Sequence, residues 1–142
     1  MTIEYKPIGV IRTPYHNRSE TPKAGRDAPD TVCEIIFDEE MEEGLRDVKP
    51  GERYALIFCF DRSEGYKLTV PVRGVGPMKS LFATRAPHRP NPIGLSEITI
   101  VGVDKNVVRF TGADMFDGTP VLDMKPVQSP DYVPDDSQTQ QS

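Results

Sequence analysis

Short apolar runs recur along the chain, separated by clusters of turn residues. These runs are rich in valine, isoleucine, phenylalanine, threonine and tyrosine, and they occupy residues 8–12, 31–37, 54–60, 67–72, 80–84, 96–103 and 107–112. Their length and β-branched content predict strands, and "VGVDKNVVRF" predicts a hairpin in which Asn106 takes the left-handed conformation. A Rossmann-type parallel sheet is excluded because strands do not alternate with helical segments. The pattern therefore predicts a mainly all-β, antiparallel β-barrel.

Residues 38–48 break this pattern. Met41, Leu45 and Val48 recur at helical spacing, and the acidic residues cluster where the first turn would favour them. Gly44 lowers the helix propensity by about 1 kcal/mol, so we expect one short helix.

Proline is frequent in the segments between the apolar runs, with 14 residues in the chain. The stretches 13–30, 71–78 and 85–94 are expected to be long, irregular loops, and such loops in a compact domain are usually functional. Residues 128–142 are polar and are expected to form a disordered tail after a barrel domain at residues 1–127.

No apolar run is long enough to predict a membrane helix, and the N-terminus does not resemble a signal peptide. A cytoplasmic protein without a membrane partner is therefore expected. Cys33 and Cys59 lie in apolar runs, and we expect them to be small core residues rather than a disulfide.

The net charge of −5 hides a segregated distribution. Within residues 62–89 the acidic Glu64 stands among six basic residues, a balance of +5, whereas the other 11 basic and 21 acidic residues give −10. The six are Arg62, Lys67, Arg73, Lys79, Arg85 and Arg89. This block indicates an anionic partner, and the alternative is a solvated basic face without one.

The stretch "ATRAPHRPNPIGLS" (83–96) combines three prolines with polar side chains. The prolines restrict the backbone, so the loop would lose little entropy when it holds Arg85, His88, Arg89 and Asn91 toward a ligand. A rigid connector or a polyproline ligand for another domain is the alternative.

A second constellation, "TGADMFDGTPVLDMKP" (111–126), places Asp114, Asp117 and Asp123 around a predicted Asp-Gly turn. These carboxylates could accept a proton or hold a cation, and the sequence leaves both open. Neither histidine pairs with a cysteine at metal-ligand spacing, so no structural zinc is expected.

Three motifs, "IGVIRTPY", "FATRAPHRPNPIGLS" and "DGTPVLDMKP", occur in this order and resemble the TrmO (YaeB/TsaA) family over about residues 3–127. The resemblance implies an antiparallel β-barrel that works as a homodimer. It also implies an S-adenosyl-L-methionine-dependent tRNA methyltransferase. Its target would be the N6 nitrogen of threonylcarbamoyl-adenosine at position 37, in the anticodon loop.

Carried onto this sequence, the resemblance implies a cofactor site made of Pro22, Lys23, Ala24, Asp61, Arg62, Arg85, Leu95, Thr111, Gly112, Ala113 and Asp114. The candidate tRNA contacts come from the basic segment 62–89, the proline-rich stretch 83–96 and the motif "DMKP". They are Lys67, Arg73, Lys79, Arg89, Asn91 and Lys125.

Methyl transfer to a nitrogen that carries a carbonyl group is aided by loss of the nitrogen's proton. Asp114 and Asp117 are the candidate catalytic residues that would accept it, and no metal is required. Two other hypotheses remain at this stage: a non-catalytic barrel that binds a nucleotide or nucleic acid, and an S-adenosylmethionine-dependent methyltransferase for a small molecule.

Overall fold

A computed structural model describes residues 1–17, 21 and 30–128. It contains the strands β1 (Gly9–Arg12), β2 (Val32–Phe37), β3 (Arg53–Cys59), β4 (Thr69–Pro71), β5 (Met78–Ser80), β6 (Ile93–Asp104), β7 (Val107–Thr111) and β8 (Pro120–Pro126). The predicted short helix is a 3₁₀ helix at Glu39–Leu45, and two single 3₁₀ turns lie at Val72–Gly74 and Leu81–Ala83.

Six strands form a closed barrel in the order β1-β2-β7-β6-β3-β8, and every pairing within it is antiparallel. The barrel closes where Gly9 of β1 pairs with Val121 of β8. The predicted antiparallel barrel is confirmed. β4 and β5 form a separate two-stranded sheet, and we call this hairpin and its flanks, residues 66–83, the arm.

The barrel interior holds the core because inward and outward side chains alternate along each strand. On β3 the inward residues are Tyr54, Leu56 and Phe58, which join one cluster of buried side chains. β6 continues this alternation, but at Gly94 it carries no side chain, and the ring of Phe58 occupies the space where a Cβ would stand.

Most predicted strands are present, but the strand predicted at residues 80–84 is wrong. β5 ends at Ser80, and a 3₁₀ turn follows that buries Leu81. The predicted loop at 71–78 is the tip of the arm, and β8 has no counterpart among the predicted strands.

The β6–β7 hairpin is confirmed, but the left-handed residue is Lys105, with a φ of 55°, rather than Asn106. The Asn106 side chain serves another purpose, because its Nδ2 donates a hydrogen bond to the carbonyl oxygen of Phe37 at 2.7 Å. The prediction failed because this contact joins the turn to β2, which is distant in sequence.

Both cysteines are free thiols. Cys33 is buried, and burial raises the pKa of its thiol, as expected for a core residue. Cys59 is half-buried on the outer side of β3, so the prediction of a core residue is wrong for this cysteine. No helix among the described residues is long and apolar enough to cross a membrane. From residue 129 onward, the predicted tail lies outside the described residues.

Candidate functional site

The segment that follows β7 lies alongside the first half of β6. Gly112 has a φ of 99°, and a Cβ at this position would lie 3.1 Å from the carbonyl oxygen of Glu97. Glycine is required here because it combines a left-handed backbone with a close approach between chains. The turn brings the next carboxylate over the strand, where Asp114 Oδ1 accepts a hydrogen bond from Ser96 Oγ at 2.6 Å.

Asp114 is half-buried, and desolvation of its carboxyl group raises the pKa above the ordinary value. The hydrogen bond from Ser96, the positive charge of Arg85 and a backbone hydrogen bond lower the pKa in part. Desolvation dominates, so the charged form is costly in the folded protein. A carboxylate in this state is suited to accept a proton.

Arg85 borders this carboxylate from the proline-rich segment. Its Nη2 donates a hydrogen bond to the carbonyl oxygen of Leu95, and its charge is one of the influences on the pKa of Asp114. The side chain of Leu95 points outward from β6 and is 48% exposed. An accessible guanidinium group therefore lies near a half-buried carboxyl group, and the side chain of Leu95 lies on the opposite face of β6 from Ser96.

Arg62 connects the end of β3 to two other loops. Its Nη1 donates to the carbonyl oxygen of His16 at 2.8 Å, and its Nη2 donates to that of Asp117 at 3.2 Å. The guanidinium group also lies over the ring of Phe116, 5.0 Å from its centroid. These contacts hold the loop of residues 112–119 in position. The guanidinium group of Arg62 therefore positions the site by binding backbone carbonyl groups.

Asp117 is engaged in closing the predicted Asp-Gly turn, in which Gly118 has a φ of 85°. Its Oδ1 accepts a hydrogen bond from the backbone N–H of Thr13 at 3.1 Å, and its Oδ2 lies 3.6 Å from Arg12 Nη1. The carboxylate therefore fastens the turn to the chain after β1. This arrangement favours Asp114 over Asp117 as the proton acceptor.

Arg89 stiffens the proline-rich loop from within. Its Nη1 donates to the carbonyl oxygens of Thr84 at 3.1 Å and Ala86 at 2.9 Å, and its guanidinium group lies 5.9 Å from the ring centroid of Phe82. Sequence reasoning assigned Arg89 only to the substrate and did not anticipate this internal contact. Asn91 is exposed at the end of the same loop.

The arm brings together three candidate tRNA contacts. Lys79 lies on β5, Arg73 lies at the tip with a φ of 52°, and Lys67 lies two residues before the start of β4. All three are exposed. Lys125, on β8, instead forms an ion pair with Asp123 at 3.1 Å.

Asp61 is exposed after β3, and its charge adds to burial in raising the pKa of Cys59. Thr111 ends β7 and Ala113 is buried between Gly112 and Asp114. Pro22, Lys23 and Ala24 lie outside the described residues. Within the described part of the chain, no cluster of histidine, cysteine and acidic residues could hold a metal ion.

Ser96 is the site residue that sequence reasoning missed. It is buried and faces inward on β6 between Gly94 and Ile98. The available signal was a hydroxyl group at an inward position of an otherwise apolar strand, because a buried polar group requires a partner.

The sequence model of the tRNA-methyltransferase O N-terminal domain family matches residues 10–132 of this chain. A crystal structure of TrmO from Pseudomonas aeruginosa superimposes with a TM-score of 0.75 at 31% identity, covering 95% of this chain and 60% of that one.

Sequence relatives agree with this match. A probable S-adenosyl-L-methionine-binding protein of Archaeoglobus fulgidus is 39% identical over 129 residues, which are 91% of this chain and 35% of the relative. The tRNA (adenine(37)-N6)-methyltransferase of Mus musculus is 40% identical over 129 residues, 85% of this chain and 30% of the mouse protein. The chain thus spans about a third of these two relatives. It belongs to the tRNA-methyltransferase O N-terminal domain family.

Proposed function

We propose that this chain is an S-adenosyl-L-methionine-dependent tRNA methyltransferase. Its target is the N6 nitrogen of threonylcarbamoyl-adenosine at position 37, beside the anticodon. The observation that carries the proposal is the half-buried carboxyl group of Asp114, which accepts a hydrogen bond from Ser96 and has a pKa that desolvation raises and the charge of Arg85 lowers in part. Family membership and the mouse relative's activity on adenine 37 support the substrate.

The residues at the site fit the chemical groups of S-adenosylmethionine. Arg85 offers a planar pair of donors for its carboxylate, Leu95 offers an apolar surface, and the backbone of residues 111–113 offers polar groups for its adenine. When bound, the cofactor supplies a methyl group on a positively charged sulfur and keeps the electron pair of the broken carbon–sulfur bond.

Asp114 has two functions in this proposal. Its negative charge favours the cationic cofactor, and its carboxylate accepts the proton that the target N6 loses as it bonds to the methyl carbon. Ser96 fixes the orientation of the carboxylate through its hydrogen bond. The proline-rich loop holds Arg85 in place, because Arg89 donates hydrogen bonds to the carbonyl oxygens of Thr84 and Ala86, the two neighbours of Arg85. Alignment of the reacting atoms is what the chain contributes most.

The function is tested by incubating the purified chain with tRNA and methyl-labelled cofactor, followed by mass spectrometry of the nucleosides. The expected result is label on N6 of threonylcarbamoyl-adenosine. Label on a different nucleoside would contradict the proposed target but keep tRNA methylation. Absence of label from all tRNA nucleosides, with cofactor binding measured by calorimetry, would support one of the alternatives, a small-molecule methyltransferase.

We also propose a twofold homodimer that uses the outer face of β6 and β3. Ile93 and Leu95 are 44% and 48% exposed there, and they pair with the half-buried Cys59 and Ile57 of β3. A contiguous apolar surface of this kind marks an interaction site. A second copy on this face would cover Leu95 and close the site from the open side.

Ile93→Asp is expected to shift the protein from dimer to monomer at micromolar concentration, because it places a charge within the apolar face. Sedimentation equilibrium measures this, and methyl transfer should decrease in parallel. Val32→Asp is the matched control, since Val32 is exposed on β2, a different part of the barrel wall. A wild-type monomer with full activity would overturn the dimer.

A further inference from the structure

A second concentration of positive charge lies on the outside of the barrel. An open hollow is formed between the segment after the 3₁₀ helix and the β6–β7 hairpin. Four cationic side chains line it, Arg46, Lys49, Lys105 and Arg109, and we call this surface the basic hollow. Glu42 is the one acidic residue among the described residues of its lining. The described part of the lining includes no residue that the sequence analysis proposed for the cofactor, the tRNA or catalysis.

The local backbone of the hairpin creates this surface. Arg109 on β7 is the cross-strand partner of Gly102, at the point where the β6–β7 register shifts. A Cβ on Gly102 would lie 3.1 Å from Arg109 Nη2. The absence of a side chain therefore leaves room for the guanidinium group to lie across β6. Lys105, in its left-handed conformation, occupies the turn at the end of the same hairpin.

The charges of the basic hollow are only partly neutralised by the protein. Arg46 Nε lies 3.8 Å from Asp47 Oδ1, an exposed and therefore weak pair. Within the described ranges, Lys105 and Arg109 form no ion pair, although Glu34 of β2 is the cross-strand partner of Arg109. Two hairpin cations and one adjacent lysine thus face the hollow in a chain whose net charge is −5.

We infer that the basic hollow binds backbone phosphates of the tRNA at a distance from the methylated nucleotide. This inference rests on the proposed function. Gly102 lies six residues from Ser96 along β6, about 20 Å at roughly 3.3 Å per residue. A nucleic acid strand in a duplex carries one phosphate per about 3.4 Å of helix axis. One RNA can therefore contact the hollow while its target base reaches Asp114, whereas a small anion cannot bridge the two.

The test compares Lys105→Gln and Arg109→Gln, separately and combined, with the wild-type chain. Binding of an anticodon stem–loop RNA is measured across a salt series. Each substitution is expected to lower the slope of log affinity against log salt by about 0.7–0.9, the value for one lost phosphate contact. The KM for the RNA should increase, whereas kcat and cofactor affinity should not change, because both residues lie away from Asp114.

Lys6→Gln is the matched control, because Lys6 is exposed and lies outside both the arm and the basic hollow. The arm variant Lys67→Gln, Arg73→Gln, Lys79→Gln provides the comparison for a proposed RNA-binding surface. The inference is overturned if the hollow variants keep the wild-type slope while the wild-type chain binds RNA and transfers methyl groups. That result would leave the proposed function intact. Loss of inorganic phosphate binding in these variants with an unchanged RNA slope would also overturn it, since the hollow would then be a small-anion site.

Discussion

Replacement of Asp114 with asparagine is expected to lower the rate of methyl transfer by about 10²- to 10⁴-fold, the usual contribution of a positioned general base. Asparagine keeps the shape of the side chain and can still accept the hydrogen bond from Ser96, but it cannot take a proton. The rate is measured at saturating cofactor and RNA, so that weaker binding does not contribute.

The same substitution is expected to maintain or increase the stability of the fold. Because burial raises the pKa of Asp114 in the folded state, the folded protein binds a proton more tightly than the unfolded chain does. The stability from this proton is fully present below the unfolded pKa of about 3.9 and is lost as the pH rises through the higher folded value. At neutral pH the buried charge is therefore a cost, which asparagine removes.

The pH dependence of the reaction provides a second measurement. Activity should rise with pH through the raised pKa of Asp114, because only the deprotonated carboxylate accepts a proton. Arg85→Gln removes a positive charge that lowers the pKa of Asp114. The rise of activity with pH should therefore occur at higher pH in this variant than in the wild-type chain. Asp38→Asn is the control, since Asp38 is exposed and makes no side-chain capping bond to the 3₁₀ helix. An unchanged kcat in Asp114→Asn would exclude Asp114 as the base.

The largest effect on stability is expected for Gly94→Ala. A Cβ on Gly94 would lie 2.2 Å from Cε2 of Phe58 and 2.5 Å from its Cζ. Phe58 is 2% exposed and packs edge-on against Phe60, with ring centroids 5.3 Å apart. The ring has little room to move, so the free energy of unfolding should decrease by about 2–3 kcal/mol, as for other overpacked cores. Urea denaturation measures the change.

Gly44→Ala is the matched control for this experiment. No atom lies within 4 Å of the position that its Cβ would take, so we expect a change of less than about 1 kcal/mol, in the stabilising direction. Phe58→Leu should partly restore the stability of Gly94→Ala, because leucine frees the space that the new methyl group needs. Equal urea midpoints for Gly94→Ala and Gly44→Ala would show that the ring adapts without cost.

Sequence reasoning predicted the barrel because the pattern of most strands is local. The alternation of apolar residues along β3 and β6 reflects the two faces of the barrel wall, and this pattern can be read without knowing the strand partners. β8 escaped prediction because its residues Pro120–Pro126 begin with a proline and contain two charged side chains. Its strand character comes from pairing with β1 and β3, which only the closed barrel provides.

The candidate site was predicted in part. Arg85 and Asp114 are both implied by the resemblance, but the hydrogen bond between Asp114, in the loop after β7, and Ser96, in the first half of β6, joins segments 18 residues apart that only the fold brings together. The basic hollow was missed because its cations come from two segments separated by more than fifty residues. Acidic residues flank both segments, so the net charge along the chain shows no excess of positive charge at either one.

Three consecutive residues of β6 have three different roles: Gly94 makes room for the Phe58 ring, Leu95 faces outward, and Ser96 reaches Asp114. A shift of β6 by one residue against β3 would turn Leu95 inward and Ser96 outward. Molecules with such a shift would retain most of their strand content, but Ser96 would no longer orient the carboxylate of Asp114. The specific activity of a preparation would then report the fraction of molecules in which β3 and β6 have paired in the correct alignment.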